Sequence, residues 1–326
     1  MTSLLGIGEC MIELSSAGDD LWRQRFSGDV FNALWYARAH SADDADVAFH
    51  TAVGTDPMSD QMLAFIRSGG IRCAQTPRIA DRRPGLYTIQ LNGAERSFTY
   101  WRDTSAAQMM VRHPGPLWRD VAGADVVYFS GITLAILPPD DLETLLAGLV
   151  EHKKQGGLLA FDPNIRPHLW ADKDRMLDVI SRAAGLSDLV LPSFDDETTA
   201  FGDRTPQDSA KRYADLGAGH VVVKNGPADT IHLQDGQLTA FPVVPVGDII
   251  DTTAAGDSFN GTYIACLLRG LPTEDAISAA QRCAGQVIRH KGAIISRNDL
   301  GLVYRARALA DRLPPGIAAK PVPHLI

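Results

Sequence analysis

Cysteine is scarce in this chain of 326 residues: there are four, at positions 10, 73, 266 and 283, far apart and with no Cys-x-x-Cys spacing. That excludes a disulfide-stapled scaffold and a redox pair, and the four read as buried, reduced thiols. The nine histidines are equally dispersed, without a His-x-x-x-His pair, which speaks against a structural zinc site. Positive charge is in deficit, with 31 Lys and Arg against 39 Asp and Glu and a net charge of −8. Nucleic acid and anionic membranes, which need a clustered positive field, are therefore not the expected partners. No apolar run approaches the roughly 18 residues of a membrane span, and no basic segment opens the chain as a signal peptide would, so a cytoplasmic protein is expected. Repeats, low-complexity tracts and charge blocks are also missing.

Apolar residues, at 45%, are ample for a large core. From about position 120 onward, short apolar runs at 125–129, 158–161, 189–191 and 220–224 alternate with helical stretches near 140–155, 173–184 and 206–217. Continuous apolar strands between helices indicate an α/β fold with a mainly parallel sheet covered on both faces. Length alone allows two domains, but α/β folds of this size often form one, and a single domain over 1–326 is expected. Active groups in such sheets belong just past strand C-termini. The polar clusters Asp162-Pro-Asn-Ile-Arg166, Pro192-Ser-Phe-Asp-Asp-Glu197 and Lys224-Asn-Gly226 fall there.

Near the start, Gly6-x-Gly8 invites a dinucleotide reading, which fails because no third glycine follows and residues 9–14 continue as an extended run. A helix over 29–40 is opened by Gly28-Asp29 and puts Asp29 and Asn32 on one face, either as a cap with a neighbouring amide or as ligand contacts. Strand-like runs at 85–91 and 94–101 flank Asn92-Gly93, a strong hairpin signal. A turn there pairs Leu91 with Ala94, Ile89 with Arg96 and Tyr87 with Phe98, so that Tyr87, Phe98, Tyr100 and Arg102 share a face. Two tyrosines, a phenylalanine and an arginine suit the floor of a polar ligand site, or else a face against another subunit.

The densest chemistry is Asp251-Thr-Thr-Ala-Ala-Gly-Asp-Ser-Phe-Asn-Gly261. Small side chains let backbone N–H groups approach a ligand, and a helix start beyond them favours a phosphate. Asp257 falls in the first turn, where the helix dipole favours its ionised form. A carboxylate beside phosphate suggests proton abstraction from an incoming hydroxyl, the alternative being a simple helix cap.

This string resembles the C-terminal signature D-T-x-x-A-G-D-x-F of the ribokinase-like (PfkB) sugar kinases, and the resemblance extends over nearly the whole chain. It implies ATP and Mg²⁺ as cofactors and a β-sheet lid, here from segments near 10–27 and 76–104. It makes Ala254, Ala255 and Gly256 the anion hole for the transferred phosphoryl group and Asp257 the catalytic base, with Asp251 organising the turn or a monovalent cation such as K⁺. Gly28, Asp29 and Asn32 are then contacts to sugar hydroxyls. Asp162-x-Asn164-x-Arg166 resembles the family's D-x-N-x-R, placing Asn164 near the phosphates and Arg166 near substrate or phosphate. Lys224-x-Gly226 resembles the K-x-G of the nucleotide-binding loop. Ser193-x-x-Asp196 stands where the family has N-x-x-E, which organises magnesium and phosphate; Ser and Asp replace Asn and Glu here.

Within the family, residues 8–14, Tyr100-x-Arg102 with Ser105-Ala106, Arg166 and residues 191–197 resemble the subgroup acting on 2-keto-3-deoxygluconate. Two arginines, Arg102 and Arg166, are surplus for a neutral hexose and suit a carboxylate. The expectation is a sugar-acid kinase that assembles as a homo-oligomer; fructokinase or ribokinase activity, or a silent sugar-binding sensor on the same fold, are the alternatives.

Overall fold

The computed structural model describes residues 2–300 except 19, 74, 93, 94 and 113; the end at 301–326 and the central part of the expected hairpin turn lie outside the described residues. In chain order the strands are β1 (Ser3–Ile7), β2 (Met11–Gly18), β3 (Leu21–Ser27), β4 (Asp46–His50), β5 (Leu86–Asn92), β6 (Glu95–Trp101), β7 (Val126–Ser130), β8 (Leu158–Asp162), β9 (Leu189–Val190), β10 (His220–Val223), β11 (Thr230–Gln234) and β12 (Gln237–Phe241). The helices are α1 (Asp29–His40), α2 (Pro57–Ser68), α3 (Pro114–Ala122), α4 (Gly131–Ile136), α5 (Pro139–Lys154), α6 (Lys173–Leu186), α7 (Phe194–Phe201), α8 (Pro206–Asp215), α9 (Ala255–Leu268) and α10 (Thr273–Val287).

Eight strands form one sheet in the order β12-β11-β10-β9-β8-β7-β1-β4, parallel from β10 to β4 and antiparallel at β11 and β12. Each central strand feeds two cores because side chains alternate across a sheet. Leu5, Ile7, Val127, Phe129, Val221 and Val223 enter one core, with α5 and α6; Leu4, Val126, Tyr128 and Val222 enter the other, with α1, α9 and α10. This double burial is why the strands read as unbroken apolar runs rather than alternating ones.

A second sheet, ordered β3-β2-β5-β6, is drawn from residues 11–27 and 86–101. Its hairpin register differs from expectation: Leu91 pairs with Arg96, Ile89 with Phe98 and Tyr87 with Tyr100, and Asn92 lies in the ladder opposite Glu95. The pairing is thus slipped by two positions. A slip of two preserves the face, and the rings of Tyr87, Phe98 and Tyr100 do cluster, with centroids 5.7 to 6.4 Å apart. The opposite face sends Ile12 and Phe26 into the core around α1.

Two further departures have plain causes. The acidic stretch after β9 opens α7 rather than a loop, with Asp195, Asp196 and Glu197 in the first turn, where the helix dipole favours carboxylates. Strands β11 and β12 meet through Asp235 and Gly236, both at positive φ (51° and 75°), a two-residue Asp-Gly turn that the reading of the chain passed over. No helix among the described residues is long and apolar enough to cross a membrane.

Helices α1 and α9 touch backbone to backbone. A Cβ placed on Gly261 would stand 1.8 Å from the carbonyl oxygen of Ala33, so only glycine permits the approach. Gly261→Ala must push the helices apart and is expected to lower stability by about 1–3 kcal/mol. Denaturant titration checks this; an unchanged midpoint would show that the helices slide at no cost.

Candidate active site

Helix α9 begins at the C-terminal edge of the parallel strands. Its N-cap is Ala254, at φ 61°, a left-handed conformation that is strained for a residue with a Cβ. Asn164, at φ 34°, is a second such residue nearby, so strain gathers here. The turn is closed by Asp251, which accepts from the N–H of Thr253 at 2.9 Å and of Gly292 at 2.8 Å. The Ala255 N–H donates to Thr252 O at 3.2 Å, while the next N–H groups of the first turn have no intrahelical acceptor, as at any helix start. Gly256 leaves room above Lys224, whose Nζ would lie 3.6 Å from a Cβ added there. A phosphate fits this cradle of exposed N–H groups, a missing Cβ and a nearby ammonium.

Beneath the cradle lies a buried polar network. Lys224 Nζ donates to Asp162 Oδ2 at 3.2 Å and Asn260 Oδ1 at 3.0 Å, while Asn260 Nδ2 donates to Asp162 Oδ2 at 2.6 Å and reaches Tyr128 Oη at 3.1 Å. The ammonium is thereby fixed rather than free to follow a ligand. Asp257, one turn before Asn260, accepts from Asn32 Nδ2 at 2.9 Å, and Asp29 accepts from Asn164 Nδ2 at 2.9 Å.

Asp257 is not held ionised, as the helix dipole alone would suggest. Burial, then the charges of Asp29 and Asp162, push its pKa up to about 7, against the opposing pull of the Asn32 hydrogen bond and Lys224. Burial, added to two carboxylate neighbours, outweighs a dipole worth a fraction of a unit charge. If Asp257 is the base, its active form is the carboxylate, so kcat/KM should fall as pH drops below about 7, approaching tenfold per unit. A pH profile flat down to pH 5 would contradict that role.

The face of the second sheet that carries Tyr100 lines a cavity of about 70 Å³ with Glu9, Met11, Gly28, Asp29, Arg102, Ile132, Arg166 and His168. Both arginines already have partners. Arg102, 7% exposed, forms a buried ion pair with Glu9, whose pKa is raised by that burial. Arg166 Nη1 donates to Asp196 Oδ2 at 3.1 Å and to its own neighbour Ile165 O at 2.7 Å. Tyr87 spends its hydroxyl on Glu13, at 2.5 Å, and supports the floor instead of presenting a donor.

The structure therefore brings Gly28, Asp29, Asn32, Asn164, Arg102, Arg166, Tyr100 and Asp257 together. Ser193 pairs with Lys224 across adjacent strand ends, and Gly226, at φ 53°, lies two residues beyond. Asn164 meets Asp29, and Asp196 meets Arg166. Among the described residues no three His, Cys, Asp or Glu side chains converge on a metal position. Magnesium fits only as an ion carried largely by phosphate oxygens and water, the usual mode for Mg²⁺. The reading of the chain gave no role to Glu9, Glu13, Tyr128, Asp162, His168 or Asn260. Asp162 and Asn260 lay inside quoted motifs, and a carboxylate such as Glu9 within an apolar run is itself a signal of pairing.

A mainly parallel sheet covered by helices, a smaller sheet over its C-terminal edge and a glycine-rich helix start below define a ribokinase-like fold. The chain belongs to the pfkB family of carbohydrate kinases, whose family model matches residues 1–300. It is 39% identical over 299 residues to a 2-dehydro-3-deoxygluconokinase of Escherichia coli (strain K12), covering 89% of this chain and 96% of that protein. It is 37% identical over 305 residues to the protein of the same name from Haemophilus influenzae, covering 91% and 96%. The crystal structure of a PfkB protein from Polaromonas sp. JS666 superimposes with a TM-score of 0.80 at 26% identity, covering 93% of this chain and all of that one.

Proposed function

We propose that this chain is an ATP-dependent kinase that transfers the γ-phosphoryl group to the terminal hydroxyl of 2-keto-3-deoxygluconate (2-dehydro-3-deoxygluconate). The observation that carries the reading is a cavity lined by Arg102 and Arg166 whose Gly28 edge is joined through Asn32 to Asp257, beside the α9 cradle. The names of the relatives at 37% and 39% identity support the same substrate. Asp257 removes the hydroxyl proton. The Gly256 N–H, in the turn made by Ala254 and Ala255, stabilises charge on the phosphoryl group, and Lys224, fixed by Asp162 and Asn260, adds positive potential behind it. Gly28, Asp29 and Asn32 hold sugar hydroxyls, with Tyr100, Arg102 and Arg166 around the acid end. Ser193, Asn164 and Gly226 line the nucleotide side, where Asp196 would help hold Mg²⁺, which would offset phosphate charge, and the turn at Asp251 would hold K⁺. ATP supplies the phosphoryl group when bound; the chain positions the acceptor and takes its proton.

The test is product analysis: purified protein, ATP, Mg²⁺ and the sugar acid, with the phosphorylated carbon read by ³¹P NMR. Phosphate on the terminal carbon is expected; phosphate elsewhere, or none, contradicts the assignment. A cytoplasmic location, where ATP is plentiful, goes with this reading. So does a single kinase domain carrying a lid built from the four-stranded sheet. Hydrogen exchange across 85–102 should slow when the acid binds, and unchanged protection would remove the lid. Leu21, Trp22 and Trp101 are exposed on that sheet, and we read this apolar surface as the contact of a homo-oligomer, which sedimentation at several concentrations tests.

A further inference from the structure

The acid end of the cavity is not the positive site that two arginines suggest. Arg102 is paired with Glu9 and Arg166 with Asp196, and Asp29, hydrogen-bonded by Ser130 and Asn164, lines the same cavity. Each guanidinium thus already meets a carboxylate, so an incoming acid must share its two arginines with Glu9 and Asp196. One more lining group can change its charge near neutrality. His168 stands on a short 3₁₀ turn, Pro167–Leu169, immediately after Arg166, with its ring 6.1 Å from that of Tyr100.

We propose that His168 is a further substrate-recognition residue of this site, taking up a proton from solvent when the sugar acid's carboxylate enters and so making acid binding depend on pH. The inference rests on the sugar-acid reading above. Without ligand, partial burial and then the charges of Arg102 and Arg166 lower the imidazole's pKa, so it is neutral at pH 7. A carboxylate among these groups offsets the charges of Arg102 and Arg166 and favours imidazolium. The other groups facing it are Tyr100 and Arg102 from the end of β6, Glu9 before β2, Asp29 at the start of α1 and Arg166 on its own segment. Glu9 and Asp29, both with raised pKa, are the competing proton acceptors.

The sign follows from linkage. A ligand that raises a group's pKa binds best below the ligand-free value and progressively less well up to the ligand-bound value. Calorimetric titration of the full chain with 2-keto-3-deoxygluconate, without ATP, over about pH 5 to 8 and in buffers of different ionisation enthalpy, is the experiment. The wild type should take up a proton on binding and lose about tenfold in affinity for each unit by which the carboxylate raises the imidazole pKa. His168→Gln should show neither effect, and should differ from wild type most at the acid end. His168→Lys, which carries a fixed charge, should bind tightly with no slope. His168 is exposed, so both variants should fold, which their melting curves check. If His168→Gln keeps the slope and the proton uptake, Glu9 or Asp29 takes the proton and the proposal is overturned. If the wild type binds no acid at all, the substrate assignment falls and this inference falls with it.

Discussion

Asp257→Asn is expected to leave the fold and ATP binding intact while lowering kcat by roughly 10²–10⁴, the usual worth of a general base. The expectation comes from its position in the first turn of α9, beside the cradle and bonded to Asn32. The fold should not suffer. A carboxylate pKa raised to about 7 means that the ionised form opposes folding, with stability lost as pH rises from the ordinary carboxylate value toward 7. A neutral isostere removes that penalty. Asn can still accept a hydrogen bond from Asn32, so the geometry around the missing base survives. A variant retaining more than about a third of wild-type kcat, with chemistry limiting, would transfer the role elsewhere.

Arg102→Ala is expected to cost the acid substrate roughly tenfold to hundredfold in kcat/KM, from the 1.5–3 kcal/mol of a charge-assisted hydrogen bond. A neutral sugar such as fructose should lose much less. The buried Glu9 complicates the simple truncation, because removing one member of a buried ion pair costs about 3–5 kcal/mol in stability. Glu9 can relieve part of this by binding a proton, as its raised pKa already favours. The double variant Glu9→Gln with Arg102→Ala separates the two effects: stability should recover in part, while discrimination for the acid should stay lost. Equal losses for acid and neutral sugar would show that Arg102 supports the sheet and does not read the substrate.

Much of this site was legible because the residues concerned sit in contiguous motifs. The small side chains at 252–256 announce a close backbone approach, and Asp257 follows within the same turn. The parallel sheet was legible because strands buried on both faces must be apolar throughout, as β7 is. Pairings between distant segments were not. Nothing local to Arg102 says that Glu9, 93 positions away, is its partner. Nothing local to Lys224 says that Asp162 and Asn260 pin its ammonium beneath Gly256. The raised pKa of Asp257 was hidden for the same reason, since its burial and the approach of Asp29 and Asp162 arise only through the fold. The hairpin register differed by two positions because Asn92-Gly93 favours a tight turn but does not choose between the two registers that keep Tyr87 and Tyr100 on one face.

The central claim is that the cavity selects a sugar acid and delivers its terminal hydroxyl to Asp257. The most direct test is kcat/KM of the purified protein, with ATP and Mg²⁺, for 2-keto-3-deoxygluconate against fructose and ribose at pH 7.5. Two arginines at about tenfold each predict a preference for the acid on the order of a hundredfold or more. Equal efficiency on fructose or ribose would contradict the account and make the protein a neutral-sugar kinase.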